Sequence, residues 1–270
     1  TDKEDSLKLA KLLKTHDEDE LPIVAPPSDE EWERRKLLSE YRSLKCQRTK
    51  EINRLHAIFE HNGYTQFVRK DMCSEKNRAN ILPLLKGYEK EEAERLVERL
   101  NLLEKQIERL LQKINAEVEN DGKIQKVMTV PGIGPITALA YVAYVGDVNR
   151  FDNAHQVSNF IGFVPKVDNS CTICRSGHTT KKGNPLLRSL LVQAAWSTVK
   201  SKNGGALRDK YKYMAESRCI GKGKSIVTIA RKLGELLYLI LKTDQEYKPQ
   251  KFITPELKIS KLAEDALECS

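Results

Sequence analysis

The sequence predicts a mostly α-helical chain, and three observations carry that expectation. Apolar residues recur at steps of three and four over long stretches, capping residues stand where those stretches begin, and no convincing strand alternation appears after residue 120. With 270 residues, 40% apolar and 31% charged, and only 10 Pro and 14 Gly, the chain can bury a core and is neither disordered nor a fibrous repeat. The longest uncharged apolar run, Ile136 to Val145, stops far short of the roughly 18 residues that spanning a bilayer requires, so no membrane partner is expected. The chain opens on Thr1, and TDKEDSLKLA is acidic and amphipathic where a secretory signal is basic and then apolar, so a start partway into a longer product is expected. Six cysteines in a chain of this length point to a reducing, cytoplasmic setting rather than a disulfide framework.

Residues 6–14, SLKLAKLLK, read as a short amphipathic helix, stopped by an acidic, proline-bearing stretch that ends at Pro27. Ser28 to Glu31 has the Ser-x-x-Glu form of a capping box, in which the serine accepts from the amide near Glu31 and the glutamate reaches back. The helix it opens is expected to run to about His61, with Leu37, Tyr41, Leu44, Ile52, Leu55 and Phe59 on one side and Arg48 intruding where an aliphatic belongs. Ala93, Leu96, Leu100, Leu103, Ile107, Leu110 and Ile114 form a heptad seam, so residues 28–121 read as a coiled-coil connector. Its two long helices either fold back as an antiparallel pair or pair with a second subunit, and the sequence leaves both open.

Asn120-Asp121-Gly122 stops the second helix, and an apolar stretch punctuated by Gly then starts a compact, all-helical domain over 122–245. Asn153 caps a helix to Ile161, Asn184 and Pro185 open another to about Lys200, and further helices fit 206–217 and 224–241. A tail helix fits 254–268, within a terminal segment 246–270.

Net charge is +8, but its distribution is uneven: between Ser170 and Lys232 stand 14 Lys and Arg against Asp209 and Glu216, and the remainder is slightly acidic. Such a block suits a polyanion, because phosphates release condensed counterions when Lys and Arg neutralise them. Val130-Pro131-Gly132-Ile133-Gly134 ahead of Pro135 has the form of a helix-hairpin-helix turn, in which Gly132, Ile133 and Gly134 would offer amides to a backbone phosphate; the bland reading is a tight turn between core helices. The connection from Gly162 to Asn184 concentrates polar groups: Ser170 in its middle, with Arg175, Lys181, Lys182 and, beyond it, Arg188 as candidate phosphate contacts. Cys171, Cys174 and His178 lack a fourth nearby ligand, so zinc is not expected. Asp2 and Asp5, three apart on one helix face, are able to share a divalent metal, and equally suit a helix N-terminus as plain acids.

PGIGPITALAYVAYVGDVNRF, GFVPKVDNS, TTKKGNPLLRSLLVQAAW and IARKLGELLYLIL together resemble the transposases of the insertion-sequence 110/116/902 group, the RNA-bridged serine recombinases. TDKEDSLKLAKLL is similar to the Asp-x-x-Asp segment that closes that family's ribonuclease-H-like nuclease domain, which makes residues 1–27 the remnant end of such a domain plus a linker. The resemblance implies a DNA transposase or site-specific recombinase in which Ser170 is the nucleophile, although Cys171 follows it where the family usually has Gly. It also implies magnesium held by four acids, of which Asp2 and Asp5 match the last two, and it puts the other two upstream of Thr1. On that reading the chain is expected to be inactive by itself. The implied partners are DNA, a guide RNA and a second copy through the coiled coil, in a nucleoid-associated cytoplasmic setting. The alternative is a non-catalytic helical module that binds nucleic acid and dimerises.

Overall fold

The computed structural model describes residues 2–15, 26–170 and 173–249, and among these the side chains of 166–178 are outside the description, as is the predicted tail helix over 254–268. Helix α1 (Asp2–Thr15) carries Asp2, Glu4 and Asp5 in its first turn, where acids complement the exposed amides of a helix start. It buries no residue, and Leu7, Leu9 and Leu13 are exposed.

Helix α2 (Asp29–His61) begins as predicted, with the Ser28 hydroxyl accepting from the Glu31 amide at 3.2 Å. The Glu31 carboxylate sits instead 3.5 Å from Arg35, one turn further on. After the short helix α3 (Glu75–Ile81), α4 (Gly87–Asn120) returns antiparallel to α2: Arg34 pairs with Glu117 at 3.0 Å, Arg48 with Glu104 at 2.7 Å, and Arg54 with Glu92 at 3.8 Å. The chain thus closes the helical hairpin on itself. Leu96, Leu100, Ile107, Leu110 and Ile114 of the heptad seam are buried, so this arrangement leaves a second copy no access to that seam. At the tip, Ile52, Leu55 and Phe59 close over Met72, Ile81 and Leu85 in a small core of their own.

The remaining helices are α5 (Gly122–Met128), α6 (Pro135–Val145), α7 (Ala154–Ile161), α8 (Pro185–Lys200), α9 (Gly205–Lys212), which continues into a π turn, and α10 (Lys222–Thr243). Helix α10 is the axis: Ile226, Ile229, Ala230, Leu233, Leu237 and Tyr238 are buried, and it packs on α5, α7, α8 and α9. Helix α6 is apolar on every side and fully packed from Thr137 to Ala143 because α2, α4, α5 and α8 surround it. The same core takes in Leu38 of α2 and Ile114 and Val118 of α4, which roots the hairpin in the carboxy-terminal helices. Among the described residues no helix is long and apolar enough to cross a membrane.

One segment departs from the predicted all-helical domain. Strands β1 (Pro165–Ser170) and β2 (Ile173–Thr179) form an antiparallel ribbon, with Pro165 opposite Thr179, Ser170 opposite Ile173 and a register irregularity between Pro165 and Val167. A two-stranded ribbon satisfies its backbone by pairing across and has no need of an apolar face, so Lys166-Val167-Asp168-Asn169 carries none of the alternation that marks a buried strand.

Arg48, the intruder in the seam, explains itself through a residue that has no signal in the sequence. The Arg78 side chain is fully buried and donates to Glu104 at 2.7 Å, to Asn101 at 2.9 Å and to the Met72 carbonyl at 3.1 Å, while Arg48 grips the other side of Glu104. Burial by itself raises the Glu104 carboxyl, but the hydrogen bonds from Arg78 and Arg48 outweigh it and hold the group below the usual carboxylate range. Removing the acid strands a buried cation, so Glu104→Ala is expected to cost about 3 kcal/mol in urea unfolding, more than the double change Arg78→Met with Glu104→Leu. Because the folded-state value is depressed, the Glu104 contribution is present above its ordinary, unfolded value and is lost as pH falls through the folded one. The stability gap between the native chain and the double variant is therefore expected to narrow on acidification below about pH 4.5, the ordinary value for the group.

Candidate nucleic-acid interface

The ribbon stands on a base built from backbone contacts. Helix α7 begins at Asn153, whose side chain accepts from the Gln156 amide, and ends at Gly162 in the left-handed conformation with φ +84°. The Gly162 amide donates to the Ser158 and Asn159 carbonyls, at 3.1 and 3.0 Å, and the Phe163 amide to Ser158 at 3.1 Å. The chain leaves as β1 and returns as β2; the Thr180 amide then donates to Val164 at 2.8 Å and the Lys181 amide to Gly162 at 3.3 Å. Gly183 next crosses the end of α7 so closely that a Cβ there would overlap the Phe160 and Ile161 carbonyl oxygens. Asn184 caps α8 by accepting from the Leu186 and Leu187 amides at 2.8 and 3.1 Å.

This base separates the predicted cations into two roles. Arg188, in the first turn of α8, donates to the Ile161 and Gly183 carbonyls, and burial pulls its guanidinium below the ordinary arginine range. It ties the end of α7 to the start of α8 and has fewer donors left for a phosphate. Lys181 and Lys182 are both exposed beside it, Lys181 with φ +55°. Ser170 is the last residue of β1, at the end of the ribbon away from the Pro165–Thr179 base, and Arg175 is opposite Asp168 in the register. The side chains of Ser170, Arg175, Cys174 and His178, and Cys171 altogether, lie outside the described residues.

Gly132 has a different reason for being glycine. It adopts φ +94°, and a Cβ there would meet the Thr198 amide nitrogen at 2.5 Å and the Ala194 carbonyl at 2.9 Å. The Thr198 hydroxyl donates to the Pro131 carbonyl at 2.7 Å, and Ile133 is buried, so this turn is pressed against the carboxy-terminal end of α8. Gly134, by contrast, faces open space at the start of α6. Since α8 starts at Pro185 and the turn meets it at Thr198, the turn stands about 20 Å along the helix from the end that the Lys181–Lys182 pair precedes. The structure therefore does not gather Gly132, Ile133 and Gly134 into one patch with the lysines.

A second basic group forms on α10. Glu235 accepts from Ser158 of α7 at 2.9 Å and pairs with Lys232 at 2.6 Å, with Arg231 at 3.8 Å. Burial raises the Glu235 carboxyl and the Lys232 and Ser158 hydrogen bonds override it, so it stays ionised below its ordinary value. The Lys210 ammonium of α9 is lowered by burial and by Lys232 and Arg231. Three cations thus surround one acid. The spacing from Arg231 and Lys232 to Glu235 is visible in the sequence as a helical pair, whereas the contributions of Ser158 and Lys210 need the fold.

Asp2 and Asp5 lie on α1, where Asp5 is exposed and 3.7 Å from Lys8. No group of three or more His, Cys, Asp or Glu able to hold a metal occurs among the described residues, so those present do not complete the magnesium site that the resemblance implies.

Residues 124–212 match the model of the transposase IS116/IS110/IS902 family. That matched segment runs from α5 through the ribbon to the end of α9, and so contains the whole base described above. A probable family 20 transposase of Pseudomonas aeruginosa is 37% identical over 105 residues, covering 39% of this chain and 31% of the relative. The transposase for insertion sequence element IS1111A of Coxiella burnetii is 30% identical over 139 residues, 51% of this chain and 38% of the relative. A putative transposase of Sinorhizobium fredii, y4rJ, is 27% identical over 260 residues, 86% of this chain and 64% of the relative. The chain spans between about a third and two thirds of the length of these transposases.

Gly183→Ala is expected to destabilise the matched segment by roughly 1–3 kcal/mol, because its methyl group must displace helix backbone. Gly132→Ala, strained at positive φ and against Thr198, is expected to cost at least about 1 kcal/mol. Gly223→Ala, in the first turn of α10 with nothing within 4 Å, is the control expected to be neutral or stabilising. Urea midpoints at constant slope check all three.

Proposed function

We propose that this chain is the nucleic-acid-binding, serine-bearing part of an insertion-sequence transposase that cuts and rejoins DNA. The observation that carries the reading is the ribbon base within the family segment, where Arg188 is spent on backbone carbonyls and Lys181 and Lys182 are left accessible. Phosphate oxygens are the natural partners of such a lysine pair beside a projecting two-stranded ribbon, and contacts of this kind position a duplex without choosing a sequence.

In the proposed reaction the Ser170 hydroxyl oxygen attacks a DNA phosphorus in line. A phosphoserine ester forms, the bond to one deoxyribose oxygen breaks, the serine proton passes to solvent or a nearby base, and the released sugar hydroxyl takes one up. One ester replaces another, so strand rejoining needs no external energy source. Cations about the ribbon neutralise charge that builds on the phosphoryl oxygens. A guide RNA and a second copy of the chain belong to the same proposal; because α2 fills the α4 seam, a second copy must use another surface.

Duplex binding by the 270-residue chain is expected to weaken steeply with salt. Lys181→Ala with Lys182→Ala is expected to lower affinity and to reduce the logarithmic salt slope by about one unit per phosphate left unneutralised, as read by anisotropy of a labelled duplex. Unchanged affinity and slope would remove the ribbon base from the interface. In a protein that supplies all four acids, a suicide duplex is expected to leave a covalent adduct that Ser170→Ala abolishes; an adduct that survives the substitution rejects Ser170 as the nucleophile and favours the non-catalytic module.

A further inference from the structure

A cleft of about 590 Å³ opens where the root of α2 meets the segment between α6 and α7 and the end of α7. Its working walls are Trp32, Arg35 and Lys36 of α2, Tyr144 of α6, Arg150, and Phe160 of α7, and it reaches Asn184 at the start of α8. Among the described residues no acidic side chain lines it. Glu31, whose charge is felt at Arg150, is already paired with Arg35 at 3.5 Å.

The aromatic and cationic groups alternate. The Arg150 guanidinium lies 4.6 Å from the ring centroids of both Phe151 and Phe160, which meet each other edge to face. Arg35 stands over Tyr144 at 5.5 Å and Lys36 over Trp32 at 5.4 Å. The ring contacts hold these cations beside aromatic faces; Arg35 also donates to the Ala143 carbonyl at 2.7 Å, which leaves Arg150 and Lys36 as the cations with donors to spare. Among the described residues Arg150 has no hydrogen-bond acceptor and no ion-pair partner. Trp32 is 51% exposed and Phe160 39%, so each ring keeps open surface beside the cation it contacts, Lys36 or Arg150.

Open aromatic faces and available cations in one cleft are the combination that holds an unstacked base with its phosphate. A duplex keeps its bases stacked on each other and offers such a cleft only its backbone. We infer that this cleft binds an unpaired nucleotide of a single-stranded segment, its base on Trp32 or Phe160 and its phosphate at Arg150 and Lys36. The inference rests on the nucleic-acid reading above and adds a separate site to it: Trp32, Arg35 and Lys36 lie outside the family segment, and none of the cleft residues is among the ribbon lysines. The ligand chemistry is shared by DNA displaced from a duplex and by RNA.

The test uses the 270-residue chain with labelled oligothymidylate and oligouridylate of equal length and a duplex of the same length. Trp32→Ala and Arg150→Ala are each expected to weaken single-strand binding roughly five- to a hundredfold, and to leave duplex binding unchanged. The tryptophan quenching that accompanies single-strand binding is expected to lose its main component in Trp32→Phe, with Trp196 as the remaining emitter. Tighter binding of the uridylate identifies an RNA strand as the occupant, and of the thymidylate a displaced DNA strand. If neither oligonucleotide binds, or if both variants bind as tightly as the native chain with quenching intact, the inference is overturned. Failure of the lysine pair to affect duplex binding bears on the ribbon alone and leaves this result standing.

Discussion

Two glycines that meet backbone to backbone hold the ribbon in place, and most of the carboxy-terminal architecture depends on that contact. Gly162 lets α7 end in a left-handed turn, and Gly183 lets the returning chain lie against the carbonyls of the same helix end. The contact sets the direction in which α8 leaves, gives Arg188 its two carbonyl partners and turns Lys181 and Lys182 outward. A side chain at position 183 has nowhere to go but into the helix backbone. The ribbon bearing Ser170 is thus anchored at its base by glycine packing, a threonine amide and a half-buried arginine.

The helical arm obeys a second constraint. Its length lies in α2 and α4, but its root shares a core with α6 and the carboxy-terminal helices through Leu38, Ile114 and Val118. Arm and domain are therefore joined by apolar packing, and the cleft at that junction sits between them by construction. At the other end the small tip core is closed by a charge network around Glu104, where Arg48 and Arg78 share one carboxylate. A buried guanidinium is costly to leave unpaired, so the burial of Arg78 makes the Glu104 carboxylate a requirement of the tip.

The helices are legible in the sequence because their signals are local. The three- and four-residue apolar steps, the Ser28, Asn153 and Asn184 caps and the heptad seam all act within a few residues of themselves. The ribbon is not legible, because strands paired only with each other impose no apolar period on Pro165–Ser170. Gly132 is visible as a turn, but its reason, the backbone of α8 at Thr198, is 66 residues away in sequence. Arg78 cannot be distinguished among 46 basic residues until its burial is known. Charge alone marks the candidate cations, and only packing separates Arg188, which serves the fold, from Lys181 and Lys182, which do not. The cleft is out of reach for the same reason: Trp32 and Phe160 lie 128 residues apart and meet only because α2 roots in the carboxy-terminal core.

The central claim is that nucleic acid engages the ribbon and its base. Hydrogen exchange with and without a bound duplex tests it directly. Slowed exchange is expected over residues 163–184, with no change at the hairpin tip over 62–86. Protection at the tip, with the ribbon and its base unaltered while the duplex is bound, would contradict the claim.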